Sequence, residues 1–579
     1  MVIRALLLVV LGLTPVAALA SRKLGYLGTL IGGILITYLG VQIHSANPLY
    51  LLYVSAGLVW VFSSVYSLRH QGDERWLGPL FGLSVFGMAL AFTANSTLEF
   101  LAGYEVMTVP AYASMGVHRR TDQHAFVFMS FGELSNILVL AGFIYSYVLT
   151  GSFGFSSLGS PFPFILVSFG FMVKMGLLPF MVSEWLPIAH GSTPSNMSAI
   201  LSASMTLVAF YGLLKVALLS PDAEDFGLLL TAIGGFSVFF GSLYAYTSEQ
   251  PKSLLGFSTI ENNGAMLACA GVYVSAPTGT LALFALITAG VYALGHSISK
   301  TGLFLLTDSM NHESLTIQNG GKTKLNQAGG IMLASSMSGL LPTIGGVATW
   351  ALLEALFMEA FIFHSSLAAV PIVVGSMIAM GEGFATAAML KLILFTHVFN
   401  PRKSEYRRAD LVILATGVSA VVAGSMTYFA YAPFVSGGNL GVAAGLIVSR
   451  FSEAPFGGIS PLYVLLIPPV VATGLISLIG KPRIRRAEAW NTGLQPEVAY
   501  DSLMYSNNIR LMLRKILMTR VSDGGVQTTD FFWRSICVFA SGFLRFSKRF
   551  SRTYMNSSLS WYVAYMIVAF VVVVMVIAK

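Results

Sequence analysis

Long apolar runs separated by short polar loops dominate the chain. Most runs hold about 20 residues, the length at which an α-helix crosses the hydrocarbon core of a bilayer. Since lipid offers the backbone no hydrogen-bond partners, such runs predict transmembrane helices. We predict about sixteen spans, at residues 2–20, 24–43, 48–68, 76–95, 97–117, 124–149, 161–183, 196–219, 225–247, 253–274, 279–307, 328–363, 367–398, 409–432, 461–480 and 559–578.

The first run has an alternative interpretation. Ala18-Leu19-Ala20 resembles the cleavage site of a secretory signal peptide, in which case residues 2–20 would be removed from the mature protein.

Basic residues alternate between successive loops. The loops after spans two, four, six, ten and twelve carry none, whereas six of the odd loops do. The latter contain Arg22, Lys23, Arg69, Arg75, Arg119, Arg120, Lys252, Lys322, Lys324, Arg402, Lys403, Arg407 and Arg408. Because cytoplasmic loops are enriched in lysine and arginine, we expect the odd loops inside the cell and the N-terminus outside.

An internal repeat is visible in the apolar runs. Gly176-Leu177-Leu178-Pro179 recurs as Gly339-Leu340-Leu341-Pro342. The two copies lie five spans apart, an odd number, so the units that contain them run in opposite directions. Pro179 removes a backbone donor and should break or kink its helix. Together these features predict an inverted repeat with two broken helices.

This pattern divides the chain into six predicted regions. They are N-terminal helices (1–75), a first five-helix repeat (76–220), a second, inverted repeat (221–400), C-terminal core helices (401–480), a basic segment (481–557) and a terminal transmembrane helix (558–579). The predicted fold class is an all-α polytopic membrane protein of about 14–16 transmembrane helices.

Composition supports the membrane assignment and excludes several functions. Only 10% of residues are charged, against about 25% in soluble proteins. The two cysteines, Cys269 and Cys537, cannot hold an iron–sulfur cluster by themselves, and no CxxC pair exists. No Walker A or dinucleotide fingerprint is present. We therefore predict no cofactor, metal or redox centre in this chain.

Ionisable residues interrupt the apolar spans. A charge at membrane depth costs about 2.5–3.5 kcal/mol on insertion scales, so such residues mark functional sites. A lysine reaching back to the interface is the bland alternative for Lys174. The candidate residues are Glu105, Glu133, Lys174, Lys215, Glu261, His296, Lys300, Glu354 and Lys391, with Glu359 and Glu382 less certain.

Proton relay is the chemistry that such a row supports. Burial destabilises the charged forms of lysine and glutamate, so a buried pair exchanges a proton when a neighbouring charge moves. Histidine titrates near neutral pH without help. His296 and Lys300 lie four residues apart and share one helix face.

One motif carries a family resemblance. Residues 185–202, WLPIAHGSTPSNMSAILS, resemble the signature of antiporter-like membrane subunits of respiratory complex I, Mrp-type cation antiporters and energy-converting nickel–iron hydrogenases. Ala189-His190 and Pro194-Ser195-Asn196 resemble the hydrogenase and formate hydrogenlyase branch. The similarity runs from about Trp76 to Arg402 and resumes near the C-terminus. It implies a pair of inverted five-helix bundles that translocate ions.

The resemblance also assigns residues. Glu105 matches the family's glutamate of the fifth span, Lys174 the lysine of the broken seventh span, and His296 and Lys300 a pair in the eleventh. Lys391 matches a lysine common in the thirteenth span. These five are the main predicted relay residues, with Glu133, Lys215, Glu261 and Glu354 as weaker ones.

Two positions depart from the family pattern. Leu207 occupies the place of the eighth-span lysine, and Ser202 stands where complex I relatives have histidine. The nearest basic group is Lys215. In the twelfth span the acid or lysine expected near Trp350 is displaced one turn, to Glu354. One relay position is therefore missing and another has moved.

The C-terminal segment 481–557 is basic, with 13 Lys and Arg against 5 Asp and Glu. Its aromatic and basic run FFWRSICVFASGFLRFSKRF predicts an amphipathic helix at the membrane interface. Anchoring on anionic lipid and docking of partner subunits remain open for this segment. Ala489–Gly493 resembles the hydrogenase branch's tail motif, with Asn491 and Thr492 replacing its acid and cysteine.

These observations predict a proton- or sodium-translocating subunit of a membrane-bound redox complex, complex I-like or hydrogenase-like. The expected partners are other membrane subunits, a peripheral redox arm and lipid, but no nucleic acid. The expected location is the plasma membrane, with segment 481–557 cytoplasmic. An Mrp-type sodium/proton antiporter subunit and a non-conducting scaffold subunit are the alternatives.

Overall fold

The computed structural model places helices along most of the chain. It describes residues 2–45, 47–69, 75–119, 122–155, 157–177, 185–219, 224–276, 279–310, 315, 321–363, 366–398, 403–431, 447–450, 455–459, 502–513, 520–522, 525–527 and 531–554. Contacts divide the chain into two compact units, Met1–Asn508 and Ile509–Lys579.

The helices of the N-terminal half are α1 (Val2–Ala20), α2 (Arg22–Gln42), α3 (Tyr50–Arg69), α4 (Leu77–Phe92), α5 (Thr97–Arg119), α6 (Asp122–Thr150), α7 (Pro161–Met175), α8 (Trp185–Gly191), α9 (Ser195–Ile200), a π-helical segment (Leu201–Met205) and α10 (Thr206–Ala217). The next helices are α11 (Glu224–Thr247), α12 (Pro251–Ser275), α13 (Gly279–Leu306), a 3-10 turn (Thr307–Ser309), α14 (Lys324–Met337), α15 (Ile344–Ile362), a 3-10 turn (Ser366–Ala368), α16 (Ala369–Ile393), a second π-helical segment (Leu394–Val398) and α17 (Asp410–Tyr431).

Short strands and two helices complete the described C-terminal residues. Strands β1 (Ile447–Arg450) and β2 (Pro455–Ile459) form one antiparallel pair, and β3 (Arg520–Ser522) and β4 (Gly525–Gln527) form another. The helices are α18 (Ser502–Met512) and α19 (Phe531–Tyr554). The predicted amphipathic run is therefore helical, and several apolar side chains of α19 are exposed, among them Phe543 and Phe546.

Each of the first fourteen predicted spans contains at least one helix, span twelve contains both α14 and α15, and residues 178–183 at the end of span seven lie outside the described residues. Spans 461–480 and 559–578 lie outside the described residues. Ten of the described helices are long and apolar enough to cross a membrane, and Leu77–Phe92 and Pro161–Met175 are shorter apolar helices. The fold is therefore that of an all-α, multi-pass membrane protein.

Span eight lies at the centre of the bundle. The stretch Ser195–Ala217 is entirely surrounded by protein, whereas only 22% of the most apolar window of α1 is buried. It contacts α3, α7 and α13. Close approach is possible because Gly212 lies against the rings of Phe100 and Phe171, where a Cβ atom would collide. The central position means that polar groups on this span meet protein rather than lipid.

Both helix breaks begin at a glycine with left-handed backbone. Gly176 has φ 74° and Gly339 has φ 61°. The N–H of Leu177 donates to Met172 O at 2.9 Å, and that of Leu340 donates to Ser335 O at 3.0 Å. This six-to-one bond with a left-handed glycine is the Schellman way to end a helix.

The expectation that the proline breaks span seven is therefore corrected. Helix α7 ends at Met175, before Pro179, which lies outside the described residues. Glycine ends the helix because it adopts positive φ without a steric penalty. The two breaks have the same local geometry, as an internal repeat predicts.

Loops of like parity meet at the same end of the first unit. The N–H of Thr97, after span four, donates to Phe153 O, after span six, at 2.8 Å. The Tyr66 hydroxyl, at the end of span three, donates to Asp308, after span eleven, at 2.9 Å. We name these ends the even end and the odd end. The grouping of even loops at one end and odd loops at the other agrees with the alternation of basic residues between successive loops.

We expect Gly339→Ala to destabilise the assembled protein. An alanine at positive φ costs about 1–2 kcal/mol, and its Cβ would lie 2.7 Å from Glu382 Oε2. Gly176→Ala should cost less, because the nearest side-chain atom would lie at 3.4 Å. Thermal unfolding in detergent measures the difference. Gly116→Ala, in open space within α5, is the control, and equal stability of all three variants would contradict the role of the breaks.

Candidate functional site

Two clusters of buried polar and charged side chains lie in the helix bundle. The first cluster consists of Glu105, Thr108, Glu133, Asn136 and Lys174, on α5, α6 and α7. The second cluster consists of Glu261, His296, Lys300, Thr349 and Glu382, on α12, α13, α15 and α16. The structure thus places six of the nine main and weaker predicted relay residues in two separate groups.

Lys174 is the centre of the first cluster. It is 1% exposed, and its Nζ donates to Thr108 Oγ1 at 2.6 Å. The ammonium lies 5.2 Å from the ring centroid of Tyr104 and 5.8 Å from that of Phe128. Lys174 therefore points into the protein rather than towards the interface, which removes the snorkelling alternative.

Two carboxylates act electrostatically on Lys174, those of Glu105 and Glu133. Glu105 is half-buried and accepts a hydrogen bond from Asn136 Nδ2 at 2.6 Å. Within the described part of the chain, no carboxylate approaches Lys174 within 4.0 Å. The charges are close enough to influence one another, yet a neutral hydroxyl holds the ammonium.

Lys300 is held in the same manner in the second cluster. Its fully buried Nζ donates to Leu255 O at 2.9 Å. Glu261 is the carboxylate that acts on it electrostatically. Among the described residues Glu261 Oε2 has no hydrogen-bond partner. Both clusters therefore combine a lysine on a neutral acceptor with a nearby carboxylate.

His296 is the residue of the second cluster that contacts span eight. Its Nε2 lies 3.3 Å from Ser202 O. Since a carbonyl only accepts, Nε2 carries the proton and Nδ1 holds a free lone pair in the neutral ring. Nδ1 has no partner in the described part of the chain. His296 is therefore placed to accept a proton at Nδ1.

A small cavity lies beside His296 at the second helix break. Its volume is about 10 Å³, and His296, Tyr292, Thr349 and Glu382 line it together with Gly339. That is roughly the space of one water molecule. Thr349 donates to Glu382 Oε1 at 2.9 Å. The second cluster therefore has a polar wall on which a water molecule could be bound.

Hydroxyls of span eight reach the second cluster at the first π-helical segment. Ser202 Oγ lies 2.7 Å from Thr259 Oγ1 on α12. Thr206 donates to Ser202 O at 2.5 Å. Ser204 turns the other way, since it accepts from Trp60 Nε1 at 2.9 Å. Leu207 is fully buried and apolar, so the span reaches the cluster through Ser202 and Thr206.

The two helix breaks differ in charge. When Gly176 is aligned with Gly339, Lys174 corresponds to Met337. Glu382 lies against the second break, since a Cβ on Gly339 would approach its Oε2. The second break therefore has a carboxylate from α16 where the first has a lysine of its own helix.

Three of the predicted relay residues lie outside both clusters. Lys391 is fully buried and donates to the carbonyls of Tyr246 and Ser248, at 2.6 Å each. Lys215 donates to Ala94 O at 2.9 Å. Glu354 is 5% exposed, and neither of its carboxylate oxygens has a partner among the described residues. Glu359, the other less certain acid, accepts from Ser275.

The neutral members of the clusters were not predicted from the sequence. Thr108, Asn136 and Thr349 are single neutral polar residues in apolar runs, and the relay prediction considered ionisable residues only. Another missed group is His190 of the family-like motif, which is fully buried 4.4 Å from the Phe304 ring centroid. Polarity inside a span was the available signal for all four. In the described ranges no three His, Cys, Asp or Glu side chains are grouped to hold a metal ion.

Comparison with solved structures shows a shared fold. A chain of the archaeal membrane-bound sulfane sulfur reductase superposes with TM-score 0.72 at 14% identity, covering 98% of this chain and 99% of that one. A chain of the Mrp complex from Dietzia sp. DQ12-45-1b gives 0.60 at 18% identity over 74% and 96%. Respiratory complex I from Thermus thermophilus gives 0.54 at 20% identity over 72% and 96%.

Two relatives are similar in sequence. Hydrogenase-4 component B of Escherichia coli (strain K12) is 26% identical over 402 residues, 65% of this chain and 59% of that protein. An uncharacterized protein of Mycobacterium tuberculosis (strain H37Rv) is 32% identical over 246 residues, 40% of this chain and 38% of that protein. The chain therefore matches less than two thirds of the length of either relative.

A sequence profile identifies the central part of the chain. Residues 94–378 match the family described as NADH:quinone oxidoreductase/Mrp antiporter, transmembrane region. This range contains every residue of the two clusters except Glu382, and it includes the motif at residues 185–202. The resemblance predicted from that motif is confirmed: residues 94–378, slightly less than half of the chain, match the NADH:quinone oxidoreductase/Mrp antiporter family.

Proposed function

We propose that this subunit translocates protons, or sodium ions, within a membrane-bound multisubunit redox complex of the NADH:quinone oxidoreductase or hydrogenase type. One observation carries the proposal. Two fully buried lysines, Lys174 and Lys300, each rest on a neutral acceptor with a carboxylate nearby. Such a lysine changes its protonation state more readily than one locked in an ion pair.

In the first cluster, Lys174 is the proton-storing group. Its ammonium donates a hydrogen bond to Thr108, which lies one turn beyond Glu105 on α5. Movement of charge towards Glu105 or Glu133 favours the protonated lysine, and loss of that charge favours release. Asn136 orients Glu105 through the bond to Oε1.

The second cluster receives the proton from span eight. Ser202 and Thr259 present adjacent hydroxyls, which order water but store no charge. His296 accepts the proton at Nδ1. The next groups are Lys300, one turn further along α13, and Glu261, on the neighbouring helix α12. Glu382 extends this group to the second break. Lys391 and Glu354 would serve as outlying groups of the same path.

Redox chemistry is assigned to other subunits. Cys269 is buried, and the sequence holds no CxxC pair. The name of hydrogenase-4 component B and the complexes that contain the structural relatives support membrane partners and a peripheral redox arm. We place the chain in the plasma membrane with its N-terminus outside and segment 481–557 cytoplasmic, on the pattern of basic loops.

Two observations favour alternative functions. The fold shared with an Mrp complex chain supports an antiporter subunit without redox coupling. A non-conducting scaffold is supported by two apolar residues. Leu207 stands at the position of the family's eighth-span lysine, and Met337 stands at the second helix break where the first break has Lys174. Transport measurements separate all three.

We expect Lys174→Met and Lys300→Met each to reduce ion uptake at least tenfold, because methionine fills the space but carries no proton. Uptake is measured in sealed vesicles energised by the complex's own electron donor, with sodium present or replaced by choline. Lys324→Met, at an exposed residue, is the control.

The outcomes assign the function. Normal uptake in both variants of an assembled complex would favour the scaffold. Uptake driven by an imposed sodium gradient without any electron donor would favour the Mrp-type antiporter. Loss of uptake only when sodium is removed identifies sodium as the ion.

The route through span eight is tested by Ser202→Ala combined with Thr206→Val. Ser202 contacts Thr259 on α12, and Thr206 shares the Ser202 carbonyl with His296, so we expect several-fold slower uptake with normal assembly. Ser204→Ala is the matched control because Ser204 faces Trp60 instead; it should lower stability by about 1 kcal/mol and leave uptake intact. Equal uptake in the double variant and the control would reject this route.

Membrane orientation is tested by labelling a cysteine on the C-terminal helix. Lys548→Cys, in a Cys537→Ser background, should react with an impermeant thiol reagent in inverted vesicles but not in right-side-out ones. Labelling in right-side-out vesicles alone would overturn the predicted orientation.

A further inference from the structure

A polar cavity opens at the even end of the first unit, away from both clusters. Its volume is about 300 Å³. The loops after spans two, four, six and eight all contribute to its wall, among others through Asn47, Asn95, Phe155 and Leu218. The loops after spans two, four and six were assigned to one side of the membrane from their lack of basic residues, and the end of span eight has the same even parity. The cavity is therefore a recess of that membrane face.

Lys215 is the charged residue in the described wall of this cavity. Its Nζ donates to Ala94 O at 2.9 Å and lies 3.8 Å from the ring centroid of Phe155. An ammonium has three donors, so the contact with Ala94 leaves capacity for water in the cavity. A cation here is also stabilised by the C-terminal dipole of α4, which ends at Phe92.

Two tyrosines form the inner wall behind Lys215. Tyr53 OH donates to Phe92 O at 2.7 Å and lies 2.9 Å from Tyr211 OH. Since the single Tyr53 proton goes to Phe92, Tyr211 donates to Tyr53 and keeps its own lone pair as acceptor. Both rings line the cavity, although their side chains are nearly buried. The hydroxyl pair is thus a fixed polar boundary between cavity and bundle.

The second repeat has a matching lysine at the opposite end. Lys215 belongs to the last span of the first predicted repeat and binds a carbonyl after that repeat's first helix, α4. Lys391 belongs to the last span of the second predicted repeat and binds carbonyls at the end of its first helix, α11. The two lysines occupy equivalent places, one at the even end and one at the odd end. A role at the membrane face suits both places better than a role in the middle of a relay.

We propose that the cavity is a water-filled vestibule in which Lys215 exchanges protons with the solvent at the even end, and that the Tyr53–Tyr211 hydroxyl pair is its inner boundary. The proposal rests on the proposed ion-translocating function and adds its access point at one face. It assigns Lys215 a proton-exchange role rather than a role as a cap for α4.

Water access is tested without transport. Thr93 lines the cavity and is 7% exposed, so Thr93→Cys reacts with a small impermeant methanethiosulfonate only through a hydrated vestibule. The assembled complex in a Cys537→Ser background should be labelled from one membrane face. Thr288→Cys, at a fully buried position, should not react. An unreactive Thr93→Cys would overturn the vestibule.

The role of Lys215 is tested by two replacements. Arginine keeps the charge and can still bind Ala94 O, but it does not release its proton. We therefore expect both Lys215→Met and Lys215→Arg to slow proton uptake several-fold. Proton uptake by Tyr211→Phe should also be slower than that of the wild type. Rescue of uptake by Lys215→Arg would show a structural cap and overturn the proposal.

Failure of this inference is distinguishable from failure of the proposed function. If Lys174→Met stops uptake while both Lys215 variants transport normally, only the exchange role of Lys215 is rejected. If Lys174→Met and Lys300→Met also transport normally, the translocation function itself is rejected, and the exchange role falls with it.

Discussion

The structure depends on one constraint: a charged side chain in the hydrocarbon layer needs polar partners from the protein itself. Lys174 and Lys300 meet it with a threonine hydroxyl and a backbone carbonyl, respectively. Neither partner is an anion, so neither fixes the charge of the lysine. The carboxylates stay near enough to act at a distance. This arrangement stabilises the buried ammonium groups without fixing their protonation state in an ion pair.

The helix breaks lie where these charges are. Lys174 is two residues before Gly176, and Glu382 approaches Gly339. A glycine in left-handed conformation ends the helix within one residue and satisfies the last carbonyls through the bonds of Leu177 and Leu340. Breaking a helix at membrane depth therefore leaves few unsatisfied groups, and irregular backbone is tolerated because protein surrounds it.

The sequence predicted the spans well because the length of an apolar run is set by bilayer thickness. It predicted the two breaks because the same four residues occur in both. It did not predict which neutral groups hold the charges, since Thr108, Asn136 and Thr349 are defined by the rotation of neighbouring helices. The break of span seven was assigned to Pro179, although glycine has already ended α7. Lys391 stays a predicted relay residue, and the sequence did not predict its contacts with two carbonyls and with Glu249 at the odd end.

The two clusters are not copies of one another, and this bears on how an ion would cross between them. The first has its lysine on the broken helix, where local movement of the chain can change the lysine's surroundings. The second has Met337 at that place and carries His296 and Lys300 on the uninterrupted helix α13. A rigid helix holds its titrating groups in fixed positions. In the proposed path the first cluster would therefore respond to movement of the backbone, and the second to charge arriving through Ser202 or on Glu382.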